Sequence, residues 1–295
     1  MDILARLAEN AAIADAALPL YLETTDPLTS TLYEAMRYSA LSGGKRIRPF
    51  LVLEFCRLFG GRDEAALPFA CAIECVHASS LIHDDMPCMD NDELRRGRPT
   101  NHVVFGEDVA LLAGDALITR GYEIAARNPH VSAEVALSAT AMLLRAAGAE
   151  GMMGGQQIDL EAEKKSIPFE TLLAMHAKKT GALIRASALL GCHAASICSE
   201  TDPRAVDAAA YADGIGLAFQ IVDDILDVTG DEATLGKKTH ADGAMGKTTF
   251  LSFMSVDDAR AYAAEVTARA VSAIEKYENS EALTALAAYL LERKK

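Results

Sequence analysis

No Cys-x-x-Cys pair, no excess of positive charge and no run of about 18 uncharged apolar residues occurs in this chain. Each absence removes a class of function. The six cysteines, Cys56, Cys71, Cys75, Cys88, Cys192 and Cys198, lack the spacing of a zinc site and the density of a disulfide scaffold, so they read as reduced, mostly buried thiols. Cys71 and Cys75 stand four apart on one helix face, where core packing is the simpler account than metal ligation. A net charge of −14 is the opposite of a nucleic-acid footprint, so any anionic ligand must be held by a local basic cluster or by metal ions. Asp2, Arg6 and Glu9 interrupt the opening segment where a signal peptide needs an apolar stretch, and acidic residues are poor in transit peptides. The expectation is a soluble, cytoplasmic protein.

What is present is helix. Half of the 295 residues are apolar, ample for a buried core, and glycine and proline are widely spaced. Between them apolar residues recur at helical spacing over 2–22, 29–42, 46–59, 64–85, 103–127, 131–149, 169–191, 203–228, 257–276 and 280–293, with shorter pieces near 154–163 and 247–254. No β-alternation, repeat or low-complexity linker interrupts this pattern. The expected fold is therefore all-α: one domain over residues 1–295, a bundle of about ten helices with neighbours mostly antiparallel. Segments 69–82 and 214–222 are apolar on nearly every face and belong at its centre.

Both central segments run into acid. "AIECVHASSLIHDD" ends at Asp84 and Asp85, with Asp90 following, and "GIGLAFQIVDDILD" ends at Asp223, Asp224 and Asp227. Asp223 and Asp227 share a helix face, with Gln220 close to it. Asp84 and Asp90 are about 120° apart on an ideal helix, and Pro87 between them should bend the chain, which could swing Asp90 back. Carboxylates at helix C-termini oppose the dipole unless a cation compensates them. A lone cluster of this kind is most simply a solvated helix end. Two of them, each leaving an apolar central helix, suggest facing sites for hard divalent cations, Mg²⁺ above all, with substrate phosphates as further ligands.

Two basic segments accompany the acids. "LSGGKRIRPF" opens a helix with Lys45, Arg46 and Arg48, and Arg95 and Arg96 follow the first acidic cluster. Taken singly these are ordinary surface charges. With the two acidic clusters they suggest two diphosphates, one held through metal and one directly by cations. Lys179-Thr180 precedes Gly181 inside a helical pattern, where Thr can loosen the helix. His77 and His83, alone on an apolar helix, read as core residues. The Gly-rich polar stretch 235–250, with Lys237, Lys238 and Lys247, is a candidate lid.

On GGKRIRP at 43–49, DDMPCMD at 84–90 followed by RRGRPTNH, KT at 179–180 and FQIVDDILD at 219–227 with GKKT after it, the chain resembles the trans (E-type) polyprenyl diphosphate synthases, which include farnesyl and geranylgeranyl diphosphate synthases. The resemblance covers nearly the whole chain. It implies an all-α bundle around a deep central cavity, usually dimeric, with three Mg²⁺ ions. It also implies condensation of isopentenyl diphosphate with C5, C10 or C15 allylic diphosphates. Carried over by position, Asp84, Asp90 and Asp223 would bind Mg²⁺ bridging the allylic diphosphate, supported by Asp85, Asp224 and Asp227. Arg95, Lys179 and Lys237 would be cationic partners of that diphosphate, with Lys247 a weaker candidate. Lys45, Arg48, His77 and Arg96 would hold isopentenyl diphosphate, and Thr180 and Gln220 would face the reacting carbons.

Rival readings are a terpene cyclase and a non-catalytic subunit of a prenyltransferase heteromer. A cyclase would lack the basic site and line its cavity with aromatics, whereas this chain has no Trp; a silent subunit would be expected to lose an acidic motif. Ser79 and Ser80 precede Asp84 by five and four residues, roughly 6–7.5 Å along a helix. In the family an aromatic residue at the position of Ser79 closes the channel and favours a C15 product. Serine leaves that level open, so the expected product is C20 geranylgeranyl diphosphate. The alternative is C15 farnesyl diphosphate, if Val76 or a facing helix supplies the floor.

Overall fold

A computed structural model describes residues 1–163, 165–229 and 247–293. Among them thirteen α-helices occur: α1 (Ile3–Ala17), α2 (Ser30–Ala40), α3 (Ile47–Leu58), α4 (Asp63–Asp84), α5 (Asn101–Phe105), α6 (Glu107–Ala126), α7 (Ala133–Ala147), α8 (Met152–Ala162), α9 (Phe169–His176), α10 (Ala182–Ala194), α11 (Pro203–Thr229), α12 (Val256–Ile274) and α13 (Glu281–Glu292). The number exceeds the expected ten for identifiable reasons. Gly106, at φ 90°, divides the expected 103–127 helix into α5 and α6. A π-helical turn at Ala177–Gly181 separates α9 from α10, and the short piece near 154–163 is a full helix, α8. The only strands among the described residues are β1 (Leu94–Arg95) and β2 (Arg98–Pro99), an antiparallel pair. Arg96 at φ 53° and Gly97 at φ 74° supply the two left-handed positions of its turn.

Helix α4 is the centre of one half, packed against α3, α6 and α10, and α11 is the centre of the other, against α10 and α12. Every residue from Phe69 to Val76 is buried, so this stretch has no solvent face, and apart from Glu74 it is apolar. Burial pushes the Cys71 thiol up to about 12 and raises Cys75 as well, which leaves both as inert core residues. By length and composition α4 and α11 could each cross a membrane, yet 78% of the apolar window of α4 and 56% of that of α11 lies inside the fold. Their apolar faces are spent on neighbouring helices.

The loop before α3 is fixed by a buried ion pair. Arg46 adopts the left-handed conformation at φ 46° and donates to Glu74 at 2.5 Å, to Asp15 at 2.8 Å and to the Ala40 carbonyl at 2.9 Å. Arg46 and Glu74 are each 5% exposed, so α1, α4 and the 41–46 loop are joined through one guanidinium. Arg46 is thereby committed to structure, while Arg48, two residues on, keeps a buried Nε without a hydrogen-bond partner among the described residues. Removing one partner of such a pair strands the other. Glu74→Ala is expected to cost about 3 kcal/mol, measured as a lower urea midpoint at unchanged slope.

Candidate active site

Asp84 is the last residue of α4, and the chain reverses at once. Asp85 caps the helix, Pro87 cannot continue it, and the Asp90 N–H donates to the Asp84 carbonyl at 2.9 Å. This turn undoes the 120° separation of a straight helix and sets Asp90 close enough to act on Asp84. Burial, reinforced by Asp90 and opposed by Lys179, pushes the Asp84 carboxyl up to about 6. Asp85 is buried elsewhere: Arg95 grips it from Nε at 2.8 and 2.9 Å and from a terminal nitrogen at 2.7 Å. Arg95 therefore pins the β1–β2 hairpin to the end of α4 as well as adding charge near Asp84.

The second cluster divides its labour in a similar way. Asp224 is 8% exposed and accepts the Phe250 backbone N–H at 2.7 Å, anchoring the chain where it returns after residue 246. Asp227 is buried. Asp223 is the more open of the three, and its Oδ1 accepts from Arg293 at 2.6 Å. Arg293, just beyond α13, lies 3.8 Å over the Phe219 ring and donates to the Phe219 carbonyl at 2.9 Å. A cation from the far end of the chain thus stands on Asp223.

Between the clusters lies the π-helical turn. Its widened backbone brings the consecutive residues Lys179 and Thr180 to one cavity wall, a use to which such bulges are often put. Gly155 of α8 makes room for it, since a Cβ there would strike the Lys179 backbone. Lys179 donates to Asp159 at 2.6 Å and is held protonated above its ordinary range by Asp159, Asp84 and Asp90 against burial. Thr180 donates to Gln220 Oε1 at 2.9 Å.

Two adjoining cavities share Lys179. The smaller, about 150 Å³, holds Asp159, His176, Gln220, Asp223 and Lys247. The larger, about 430 Å³, holds Arg48, His77, Ser79, Ser80, Asp84 and Thr180, with Met152, Met153 and Gln156 of α8 opposite. Arg48 is a cation of the larger cavity. Its Nε is buried with no hydrogen-bond partner among the described residues, and burial, outweighing Glu74 and joined by Arg96, pushes the guanidinium down to about 10. Burial and the surrounding arginines also hold His77 well below the ordinary histidine range, so it is a neutral donor or acceptor. His77 and His83 line the cavity rather than the closed core expected for them.

Other expected residues sit differently. Lys45 is exposed, 5.4 Å over the Tyr289 ring, and Arg96 folds onto the 42–44 loop, donating to the Gly43 carbonyl and packing where a Cβ on Gly44 would sit. Neither lines the larger cavity, and Val76 is fully buried away from it. Lys237 and most of the expected lid, its residues 235–246, lie outside the described residues; Lys247 is described, 4.0 Å from Asp159. Asp159, His176, Gln156, Met152 and Arg293 were not singled out from sequence. Only Asp159 carried a signal, as an acid two residues after the glutamine pair that follows Gly154-Gly155.

Among the described residues no group of three or more His, Cys, Asp or Glu side chains converges to hold a metal ion. Asp84 with Asp90, and Asp223 apart from them, make a donor set of few, hard oxygens. Such a set suits a cation that takes its remaining ligands from water and substrate phosphate.

This constellation has relatives. The chain matches the Polyprenyl synthetase family over residues 29–290. It is 44% identical over 288 residues to a farnesyl diphosphate synthase of Escherichia coli, covering 96% of each chain. Over 288 residues it is also 42% identical to a chloroplastic geranylgeranyl pyrophosphate synthase of Catharanthus roseus, covering 96% of this chain and 78% of that one. Among solved structures, an FPP/GFPP synthase of Zymomonas mobilis superposes with a TM-score of 0.87 at 37% identity, covering 98% of this chain and 99% of the other. A match of this extent, on a fold with both acidic clusters opening onto adjoining cavities, makes the chain a member of the polyprenyl synthetase family of prenyl-transferring enzymes.

Proposed function

We propose that the chain, as one synthase domain, condenses isopentenyl diphosphate with allylic diphosphates to short all-trans prenyl diphosphates, favouring the C20 product. The observation that carries this reading is the presence of opposites in the larger cavity: Asp84, a carboxyl that burial and Asp90 push up despite Lys179, and Arg48, a guanidinium whose buried Nε has no hydrogen-bond partner among the described residues. Asp84, Asp90 and Asp223 would hold Mg²⁺, which when bound supplies positive charge to the departing diphosphate. Lys179 adds charge from the π turn, and Arg48 with His77 would bind the second diphosphate directly. The allylic C–O bond breaks with its electron pair leaving on diphosphate, the double bond of isopentenyl diphosphate attacks the allylic carbon, and a proton is lost to the released diphosphate. No covalent enzyme intermediate is needed; orientation and electrostatics supply the acceleration.

Chain length is read from the wall. The relatives carry both farnesyl and geranylgeranyl names at similar identity. Ser79 and Ser80 both line the cavity, and Val76 does not reach it, so the α4 side is open at the level where an aromatic ring would close it. That supports C20 over C15. We also propose that the protein is a soluble, cytoplasmic homodimer. Leu111 and Leu112 of α6, Leu137 and Leu144 of α7 and Val103 and Val104 of α5 are each 46–71% exposed on adjacent helices, the kind of apolar face a second copy would cover.

Incubation of the purified protein with Mg²⁺, isopentenyl diphosphate and each allylic diphosphate, followed by identification of products, tests the reaction itself. Asp84→Ala and Asp223→Ala are each expected to lower turnover by about a thousand-fold or more with helical content intact; near-normal turnover in either variant removes that residue from the mechanism. Ser79→Tyr is expected to shift the main product from C20 to C15, read by chromatography of the dephosphorylated alcohols. An unchanged product distribution would place the floor elsewhere.

Arg293 generates a separate expectation. It occupies Asp223 with a cation that a metal would have to displace, at a partly exposed pair worth about 1 kcal/mol. Arg293→Gln should therefore bind Mg²⁺ about five-fold more tightly in calorimetry with inorganic diphosphate present. Weaker binding in the variant would make Arg293 a partner of the anion instead.

A further inference from the structure

His176 ends α9, one turn before Thr180, and takes no part in the reaction as described above. Its Nδ1 lies 3.2 Å from Gln220 Oε1, the same oxygen that accepts the Thr180 hydroxyl. Its Nε2 is buried with no partner among the described residues. If the proton sat on Nε2, a buried donor would be orphaned, and orphaned N–H groups are the rarer and costlier kind. With the proton on Nδ1 the orphan is a lone pair, and Nδ1–H donates to a carbonyl oxygen, which can only accept. Charging the ring offers no escape, because burial holds it down to about 4 despite the Gln220 bond and nearby Asp159.

The ring is also held mechanically. It stacks on Phe250 at 5.3 Å and 16°, and Phe250 is fixed by the Asp224 carboxylate at its backbone and by Phe169 at its edge, 6.0 Å and 80°. Gln220, by contrast, has an amide that can flip. Thr180 cannot decide its orientation, since a hydroxyl donates or accepts equally well.

We infer that His176 is a positioning residue: fixed as the neutral Nδ1–H tautomer between Phe250 and Gln220, it turns the Gln220 carbonyl toward Thr180. The Thr180 hydroxyl then spends its hydrogen on Gln220 and presents oxygen lone pairs to the cavity it lines, where positive charge develops at the allylic carbon. Reversal of the amide would make Thr180 accept from the NH₂ group and aim its hydrogen at the cation. The inference rests on the prenyl-transfer reading, but the tautomer exists in the resting protein and can be read without substrate. Because the diphosphates are gripped elsewhere, the effect belongs to the transition state.

His176→Phe keeps the stack on Phe250 and removes the donor, while His176→Asn restores an N–H near the Nδ1 position. His176→Phe is expected to lower kcat about ten-fold with KM for both substrates within about two-fold, and His176→Asn to recover most of the loss. In a Gln220→Leu background the cost of His176→Phe should vanish, since the residues act as one unit. Nitrogen NMR of the imidazole should show Nδ1 protonated and Nε2 bare in the wild type. Protonation at Nε2, an unchanged kcat in His176→Phe, a loss confined to KM, an equal loss in the Gln220→Leu background, or no recovery with asparagine each overturns the inference. Wild-type turnover in the same assay separates these outcomes from failure of the prenyl-transfer reading, for which the NMR result still decides the tautomer.

Discussion

Carboxylates crowd the C-terminal ends of two buried helices, where the helix dipoles are negative as well, and the surroundings are organised by the repulsion this creates. Most of the acids are answered from within. Arg95 takes Asp85, the Phe250 N–H takes Asp224, Arg293 takes Asp223, and Asp159 shares Lys179 with the first cluster. Asp84 is left with a carboxyl pushed up to about 6, and across the same cavity Arg48 is left with a guanidinium pushed down to about 10. The fold could have paired these two with each other. Keeping them apart preserves one demand for a cation and one for an anion in a single cavity, the separation on which the proposed reaction rests.

The central helices were legible because burial on most faces leaves a compositional trace: in 69–82 and 214–222 the polar side chains are few, Glu74, His77, Ser79, Ser80 and Gln220, and the rest are apolar or glycine. The reversal at Pro87 was legible too, since two acids six apart need a break between them to act together. What could not be read is whatever depends on distant pairing. Arg293 meets Asp223 across 70 residues and Lys179 meets Asp159 across 20, and nothing local to any of them announces the partner. The same limit applies to the basic loop, whose three cations look equivalent in sequence. Packing separates them: Arg46 is spent on Glu74 and Asp15, Lys45 lies at the surface, and Arg48 alone of the three faces the cavity. The π turn is a milder case, because Thr180 and Gly181 marked a weak point in the helix without revealing which way the backbone would widen.

Product length shows where similarity stops being informative. A farnesyl synthase at 44% identity and a geranylgeranyl synthase at 42% are nearly equally similar to this chain, so overall identity does not separate the two products; the proposal for chain length rests instead on the side chains that line the larger cavity. On the α4 side those are Ser79 and Ser80, small and spaced to follow Asp84 down the helix. On the opposite side they are Met152 and Met153, together with Gln156, whose buried Nε2 lacks a partner among the described residues. Methionine is unbranched and repacks readily, so this wall can yield to a growing chain where a rigid ring could not. The larger cavity is thus lined by small side chains from α4 and soft ones from α8.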